Sequence, residues 1–393
     1  PMDKPTALKQ YFGHDSFRPG QQPLVDGLLA GRDVFGVMPT GGGKSVCYQL
    51  PALLLEGVTL VISPLISLMK DQVAALEQAG VPAAYLNSSM EPEQQAGVMA
   101  NARAGAYKLL YIAPERLANP AFRATAETLT IPVVAVDEAH CISQWGQDFR
   151  PGYLAIADFI AELPVRPAVA AFTATATAQV RGDIARRLRL RDPVEVVTGF
   201  DRPNLYFDVL RPKNRLSTLT ALVEQRQGKS GVVYCATRAN VEKVCDALCA
   251  AGIPATRYHA GLPDDERRRN QDDFQFDRRP VMVATNAFGM GIDKSNVSFV
   301  IHFNMPQSLE AYYQEAGRAG RDGSPADCIL LFSPADIATA HYFIENGGEN
   351  EALTPEERDT VRRQDYRRLD AMAAYCRTTG CLRGAILDYF GQP

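Results

Sequence analysis

Short apolar runs alternate with helical patterns along the first half of the chain. The runs have the length of strands and lie at 33–37, 58–63, 109–113, 133–136, 169–172 and 194–197. Helical patterns follow two of them, at 46–55 and 65–80. Strands that alternate with helices favour a parallel sheet, and continuously apolar strands fit a sheet covered on both faces. The pattern therefore predicts an α/β lobe with a doubly wound parallel sheet.

A second alternating series follows a break at 199–204, where turn-forming residues interrupt the pattern. Its strand-like runs are 205–210, 232–234, 281–284, 299–303 and 328–332, and its helical runs are 241–251, 264–276 and 309–319. We therefore predict an α/β protein with two lobes, 1–200 and 201–340, and a small helical remnant at 341–393.

The remnant contains a clear helix start. Thr354 is a suitable N-cap, and Pro355 and two glutamates follow it. Arginines come next, at 358, 362, 363, 367 and 368. A solvated, salt-bridged helix face explains these arginines better than a dedicated DNA patch does.

Composition narrows the function classes. The chain has 393 residues, of which 46% are hydrophobic and 22% charged, as is typical of globular proteins. No segment reaches the apolar length of a membrane span, so we expect no membrane partner. Eight irregularly spaced cysteines indicate reduced thiols and a cytoplasmic location rather than a disulfide framework. The net charge of −4 gives no global sign of nucleic-acid binding, so any such binding must use local grooves.

A glycine-rich stretch after the first strand carries the clearest chemistry. Its residues are Met38, Pro39, Thr40, Gly41, Gly42, Gly43, Lys44 and Ser45. Glycines let backbone N–H groups approach a polyphosphate, and the following helix directs its positive end to the same place. Lys44 then supplies a charge to the β- and γ-phosphates, and Ser45 supplies a hydroxyl for Mg²⁺. Met38 stands where the usual pattern has glycine, and the second lobe has no such loop, so we expect one nucleotide site, between the lobes.

An acidic pair, Asp137 and Glu138, directly follows the apolar run 133–136. Open α/β sheets bind their ligands at the carboxyl ends of the strands. We therefore expect Asp137 to hold Mg²⁺, directly or through water, and Glu138 to orient and deprotonate the attacking water.

Four motifs occur in the order found in superfamily-two helicases. They are Lys44-Ser45, Asp137-Glu138-Ala139-His140, Thr173-Ala174-Thr175 and the stretch from Gln314 to Arg321. The stretch from Phe17 to Gln21 and the loop from Cys141 to Tyr153 resemble RecQ DNA helicases in particular. The resemblance covers nearly the whole chain and implies two RecA-like lobes, each a mostly parallel sheet flanked by helices. It also implies ATP and Mg²⁺ as cofactors, 3′-to-5′ translocation on single-stranded DNA, and unwinding of duplex DNA in repair and recombination.

The resemblance assigns further residues to the nucleotide. Gln21 presents a donor and an acceptor to the adenine edge, and Arg18 adds a cationic contact. His14 stands where the family often has an aromatic residue that stacks on adenine. Gly291 and Asp293 are carried over to the ATP cleft.

The last motif supplies Gln314, Arg318 and Arg321. The two arginines are three residues apart in a predicted helix, so they share one face, which Gly317 and Gly320 leave uncrowded. The resemblance implies that both reach the γ-phosphate, with Arg321 as the main finger, and that Gln314 places water or links the lobes.

A separate group of residues is expected to contact DNA. The resemblance places Trp145 and Phe149 in an aromatic-rich loop where they stack on bases, although a core aromatic pair is the alternative. Arg150 in the same loop can pair with a phosphate or with a nearby acid. Lys70 and Thr285 are carried over to the DNA backbone.

Cys381 resembles the first ligand of the zinc-binding module of this family, whose three other cysteines would lie beyond Pro393. A structural zinc site needs four ligands, so we expect Zn²⁺ only in a longer form of the chain.

Three alternatives stay open. Thr173-Ala174-Thr175 either couples nucleotide state to lobe movement or only caps the following helix. The chain as a whole is a DNA helicase, or an RNA helicase of the same superfamily, which the loop around Trp145 disfavours. The third possibility is a nucleotide-switched DNA-binding module that does not unwind.

Overall fold

The computed structural model describes residues 2–39, 41–288, 294–347 and 353–392. The chain forms two compact units, Pro1–Gly199 and Phe200–Pro393. Each unit has its own sheet and its own apolar core.

The first unit is built on a seven-stranded parallel sheet in the order β3-β4-β2-β5-β6-β1-β7. Its strands are β1 (Val34–Val37), β2 (Thr59–Ile62), β3 (Ala83–Leu86), β4 (Leu109–Ile112), β5 (Val133–Val136), β6 (Ala168–Thr173) and β7 (Val194–Val197). Its helices are α1 (Lys4–Phe12), α2 (Gln21–Leu29), α3 (Lys44–Leu54), α4 (Ile66–Gln78), α5 (Pro92–Arg103), α6 (Pro120–Ala126), α7 (Ile156–Glu162) and α8 (Ala178–Arg187). Short 3₁₀ helices span Pro114–Ala118, Ala139–Ile142 and Pro151–Ala155.

A buried carboxylate fixes the start of β1. Asp33 is 3% exposed and accepts hydrogen bonds from the Arg166 guanidinium at 2.7 and 2.9 Å and from the Val169 N–H at 2.9 Å. The Arg191 N–H also donates to it, at 2.7 Å. Burial opposes the charge, but these donors hold the pKa of Asp33 below its ordinary value. The N-terminal end of β1, the strand that leads into the glycine-rich loop, is therefore fixed in place.

The second unit is built on a six-stranded parallel sheet in the order β10-β11-β9-β12-β13-β8. Its strands are β8 (Leu205–Leu210), β9 (Ser230–Tyr234), β10 (Ala255–Tyr258), β11 (Val281–Ala284), β12 (Val297–His302) and β13 (Ala326–Leu331). Its helices are α9 (Arg215–Glu224), α10 (Arg238–Ala250), α11 (Asp264–Gln275), α12 (Leu309–Ala316), α13 (Pro334–Asn346), α14 (Pro355–Arg377) and α15 (Leu382–Tyr389).

The prediction of an α/β protein with two mostly parallel sheets is confirmed. Every predicted strand run forms a strand, and most of these strands are apolar and buried, as expected of a sheet covered on both faces, whereas the edge strands β7 and β8 are only partly buried. The pattern missed β3 and β10, which both lie at an edge of their sheet. Neither has the β-branched run of a central strand, since β3 reads Ala-Ala-Tyr-Leu and β10 reads Ala-Thr-Arg-Tyr.

The predicted helix 309–319 is too long. The helix α12 ends at Ala316, and Gly317 is its C-cap. Gly320 has a φ of 58°, in the left-handed region that glycine adopts without a steric cost. Arg318 and Arg321 therefore lie in a turn after the helix and not on a shared helix face.

In the helical remnant, the helix start at Thr354 agrees with the prediction, but one of the arginines is not on the exposed face. Thr354 and Glu357 form a reciprocal capping box at the start of α14. Arg363 pairs with Asp359 on the exposed face, as expected for a salt-bridged helix. Arg368, however, is only 8% exposed and donates to Asp365 at 2.6 Å, so it belongs to the packed side of the helix.

All eight cysteines are free thiols. Six are buried, and only Cys249 and Cys381 are exposed. Burial raises the pKa of Cys47 and of Cys328 to about 12. Among the described residues, no helix combines the length and the apolarity that crossing a bilayer requires.

Candidate nucleotide and nucleic-acid sites

The glycine-rich loop connects β1 to α3 at the carboxyl edge of the first sheet. Met38 continues the strand by donating its N–H to the Thr173 carbonyl at 3.0 Å. Gly43 is the N-cap of α3 with a φ of 74°, and it carries no side chain that could accept from the first-turn N–H groups. Those N–H groups and the helix dipole suit an anion. Lys44 and Ser45 begin the helix and are half-buried, whereas Thr40 lies outside the described residues.

Gln21 and Arg18 contact the loop from outside. The Gln21 side chain is 1% exposed, and its amide donates to the Gly43 carbonyl at 3.0 Å and accepts from the Arg18 N–H at 2.7 Å. A Cβ atom on Gly43 would come within 2.3 Å of this amide nitrogen. The Arg18 guanidinium donates to the Gly41 carbonyl. Gln21 therefore shapes the loop by holding Gly43 and Arg18 together.

The acidic pair follows β5 at the same edge of the sheet. Asp137 is half-buried, its N–H donates to the Ile62 carbonyl at 2.9 Å, and its carboxylate accepts from the Glu138 N–H at 2.9 Å. Burial and the neighbouring Glu138 raise the pKa of Asp137 to about 6, and Lys44 opposes that rise. Glu138 itself has a φ of 48°, which is uncommon for a residue with a side chain and is frequent at functional sites.

His140 links the acidic pair to the end of β6. Its Nδ1 lies 2.9 Å from the Thr173 hydroxyl and 3.3 Å from the Glu138 carboxylate. Burial lowers the pKa of His140, so the neutral ring is favoured even though Glu138 and Asp148 favour its charged form. Gln147 reaches the Thr175 hydroxyl at 3.4 Å. The residues of the Thr-Ala-Thr motif thus contact His140, which lies beside Glu138, and Gln147 in the loop that follows.

The acidic pair fits a divalent cation. Two carboxylates in a desolvated place are costly without a positive charge, and that cost shows in the raised pKa of Asp137. Magnesium in nucleotide sites takes one or two carboxylates and completes its shell with phosphate and water. Among the described residues, no three His, Cys, Asp or Glu side chains group as a metal site, which is compatible with such a shared shell.

The aromatic loop that follows is half-buried. Trp145 and Phe149 are both half-buried. Arg150 donates to the Asp148 carboxylate at 2.9 Å and to the Pro64 carbonyl at 3.0 Å. Burial disfavours the charge of Arg150, but Asp148 raises its pKa above the ordinary value. Of the two expected partners of Arg150, the nearby acid is therefore the one present in the structure.

In the second unit, the charges of the two arginines influence a buried tyrosine, Tyr234. Arg318 and Arg321 are half-buried and lower the pKa of Tyr234, whose hydroxyl donates to the Phe288 carbonyl at 3.2 Å. Burial raises the pKa of Tyr234 to about 12, and the two arginines oppose that rise. His302 stacks on Tyr234 with ring centroids 5.3 Å apart and contacts the Glu315 carboxylate at 2.7 Å.

Sequence reasoning missed this polar cluster. Tyr234 and His302 end strands that were identified only by their apolar residues, so the polar residue at each end gave no separate signal. Gln314 lies half-buried on α12, in the same segment. Gly291 and Asp293, which were assigned to the ATP cleft, lie outside the described residues.

A pocket of about 470 Å³ lies at the carboxyl edge of the second sheet. Thr237, Arg238, Thr285, Asn286 and Phe343 help to line it. Thr285 directly follows β11, and its hydroxyl accepts from the Ala287 N–H at 3.4 Å. In the first unit, Lys70 is exposed on α4, with its ammonium 5.9 Å from the centre of the Tyr85 ring. His14 follows the C-cap of α1 and is half-buried.

Comparison with known proteins identifies the family. Three family models match the chain. The model described as "DEAD/DEAH box helicase" matches residues 18–182, the one described as "Helicase conserved C-terminal domain" matches 214–323, and the one described as "RecQ zinc-binding" matches 334–393. The chain is 47% identical over 386 residues to the ATP-dependent DNA helicase RecQ of Bacillus subtilis. The chain belongs to the RecQ family of helicases. A RecQ helicase of Haemophilus influenzae is 44% identical over 395 residues.

The chain spans less than two thirds of the length of these relatives. The alignment with the Bacillus protein covers 98% of this chain and 64% of that protein. The alignment with the Haemophilus protein covers 100% of this chain and 62% of that protein. Solved structures share its fold at lower identity. A structure of Mss116p bound to single-stranded RNA and AMP-PNP has a TM-score of 0.72 at 14% identity, over 99% of this chain and 89% of that one. The helicase MrfA bound to DNA has a TM-score of 0.70 at 18% identity, over 99% and 57%.

The RecQ zinc-binding match contains one candidate ligand in this chain. Cys381 is the exposed N-cap of α15, and its sulfur accepts from the Gly384 N–H at 3.4 Å. The other nearby cysteine, Cys376, is buried on α14. One thiol does not make a structural zinc site, so the described residues do not fit the metal by themselves.

Proposed function

We propose that this chain is the catalytic core of an ATP-dependent DNA helicase that moves 3′ to 5′ on single-stranded DNA. The observation that carries the proposal is the half-buried acidic pair beside the glycine-rich loop, with Lys44 lowering the pKa of Asp137 that desolvation raises, in a chain of the RecQ family. Hydrolysis of ATP then drives translocation and the separation of duplex DNA, in repair and recombination.

The first unit binds the nucleotide in this proposal. The glycine-rich loop and Lys44 hold the phosphates, and Gln21, Arg18 and His14 contact adenine. Ser45 and Asp137 hold Mg²⁺, which supplies positive charge to the phosphate oxygens when it is bound.

Glu138 accepts a proton from the attacking water at its carboxylate. The neutral ring of His140, held by Thr173, keeps that carboxylate in place. Asp293 and Gly291 complete the nucleotide contacts.

The arginines of the second unit stabilise the transferring phosphate. Charge develops on the γ-phosphate oxygens as the bond to ADP breaks, and a positioned guanidinium accelerates such steps by about 10³–10⁵-fold. Arg321 is the main finger and Arg318 assists it, while Gln314 orients water.

Single-stranded DNA contacts both units through separate groups. Trp145 and Phe149 stack on bases, and Arg150 exchanges its Asp148 contact for a phosphate. Lys70 and Thr285 contact the backbone, so the motor reads shape and charge rather than sequence. The resulting partners are single-stranded and duplex DNA, and we place the protein in the cytoplasm, at the bacterial nucleoid.

Nucleotide turnover tests this proposal. Hydrolysis should rise on addition of single-stranded DNA, and a duplex with a 3′ single-stranded tail should be separated faster than one with a 5′ tail. Equal or greater stimulation by RNA would point instead to an RNA helicase. ATP hydrolysis without strand separation on either tail would favour a nucleotide-switched DNA-binding module.

A further inference from the structure

The turn that carries the two arginines is held from outside its own motif. We define the arginine turn as residues 317–321, directly after α12. The Arg202 guanidinium donates to the carbonyls of Gly317 at 3.2 Å, Ala319 at 3.0 Å and Gly320 at 3.1 Å. One side chain therefore satisfies three carbonyls of a turn that has left the helix.

Asn204 holds the same turn from two residues further on. Its amide donates to the Gly320 carbonyl and to the Ser324 carbonyl, both at 2.9 Å. Gly320 in turn donates its N–H to the Val297 carbonyl at 2.8 Å. A Cβ atom at Gly320 would come within 2.5 Å of the Asn204 amide nitrogen, so the glycine allows this close approach.

The segment that carries Arg202 and Asn204 is itself anchored to the last helix. Arg383 on α15 donates to the carbonyls of Arg202 at 2.7 Å and Leu205 at 2.6 Å, and to the Asp201 carboxylate at 2.6 Å. Its guanidinium also lies 5.8 Å from the centre of the Phe207 ring. A continuous set of charge-assisted hydrogen bonds thus runs from α15 to the arginine turn.

We propose that Arg202 and Asn204 are positioning residues for Arg318 and Arg321, and that Arg383 fixes both of them in place. This inference rests on the proposed function, because it assumes that the two arginines act on the γ-phosphate. Misplacing a charged group by about 1 Å lowers the rate of a chemical step by on the order of 10²-fold, so holding the turn matters for hydrolysis. Nucleotide binding should depend on the positioning residues much less.

The test compares Arg202→Ala, Asn204→Ala and Arg383→Ala with a matched control, Arg211→Ala. Arg211 lies in the same unit and also donates its guanidinium to a backbone carbonyl, that of Cys376 at 2.9 Å, but it does not contact the arginine turn. We expect Arg202→Ala to lower kcat for ATP, with saturating single-stranded DNA, by about 10–100-fold. KM for ATP and the Kd for ADP should change by less than about threefold, and Arg211→Ala should change kcat by less than about twofold.

A double variant separates positioning from general destabilisation. If Arg202 acts through Arg321, the kcat of Arg202→Ala/Arg321→Ala should lie within about threefold of that of Arg321→Ala alone. Arg202→Lys should recover part of the loss, because an ammonium can reach some of the three carbonyls. The inference is overturned if the fold-losses of kcat in the two single variants multiply in the double variant. It is also overturned if kcat falls in all variants only in proportion to their loss of thermal stability.

The outcomes also separate this inference from the proposed function. A wild-type protein that does not hydrolyse ATP, or an Arg321→Ala variant with normal kcat, contradicts the proposed function and the inference together. Impaired Arg321→Ala beside normal Arg202→Ala and Asn204→Ala contradicts the inference alone. If Arg202→Ala does not fold, Asn204→Ala and Arg202→Lys decide the question by the same comparison of kcat with KM.

Discussion

Asp137 carries a half-buried carboxyl group whose pKa is raised to about 6 by desolvation and by Glu138. A carboxyl with a raised pKa binds more protons in the folded state than in the unfolded state between about pH 4 and pH 6. Its contribution to stability is therefore complete below about pH 4 and is lost as the pH rises through 6. In the absence of nucleotide and Mg²⁺, the ionised group weakens the fold at neutral pH.

We predict that Asp137→Asn raises the free energy of unfolding at pH 7 by about 2–3 kcal/mol, because the amide carries no charge to desolvate. The gain should disappear near pH 3, where the wild-type carboxyl is protonated in both states. Denaturant titrations at the two pH values measure it, and the exposed Asp158→Asn serves as the control. A gain that is the same at both pH values would show that ionisation is not its cause.

Lys44 supplies positive charge close to the same carboxyl group. Lys44→Ala should reduce DNA-stimulated ATP turnover by at least about 10²–10³-fold, because a preorganised charge on the phosphates is lost. The circular dichroism spectrum should be unchanged. Lys9→Ala, which removes an exposed lysine paired with Asp15, should leave turnover as it is. Retained turnover in Lys44→Ala would contradict the role of this residue.

At the scale of elements, the glycine-rich loop depends on a side chain from α2. A carboxylate at position 21 can still accept from the Arg18 N–H but cannot donate to the Gly43 carbonyl, and it places two oxygens in contact. Gln21→Glu should therefore raise KM for ATP by about tenfold, a cost of about 1–2 kcal/mol. Gln22→Glu, at an exposed neighbouring position, is the matched control and should not change KM.

The aromatic loop gives a second prediction at this scale. Trp145→Ala should lower DNA-stimulated ATP hydrolysis more than basal hydrolysis, because stacking on a base contributes about 1–3 kcal/mol. Rates measured with and without single-stranded DNA give the comparison, and the exposed Phe276→Ala is the control. An equal drop in both rates would indicate that Trp145 only packs.

Most elements could be predicted because their residues act locally. The central strands are mainly apolar, and the helical pattern predicted at 46–55 overlaps α3, which begins two residues earlier at Lys44. The edge strands β3 and β10 lack that pattern. The end of α12 depends on carbonyls that Arg202 satisfies from 115 residues away in sequence. Contacts of that range leave no periodic signal, so the helix was extended past Ala316.

At the scale of the whole molecule, the net charge of −4 opposes a polyanion. Binding of single-stranded DNA must then depend on a few local cations. The salt dependence of the affinity reports their number, because each phosphate that a cation neutralises contributes about 0.7 to the magnitude of the slope of log K against log salt. Lys70→Ala should reduce that slope by about 0.7. Affinity measured between low and moderate salt tests this, with Lys9→Ala as the control. An unchanged slope would remove Lys70 from the DNA contacts.

The uneven burial of the thiols has a practical consequence. Six cysteines are buried, and the two exposed ones, Cys249 and Cys381, both belong to the second unit. A maleimide fluorophore should therefore label the second unit alone when no cysteine has been replaced. Replacing either exposed cysteine by serine would leave a single labelling position. Fluorescence from a dye at that position can then report movement of the second unit during turnover.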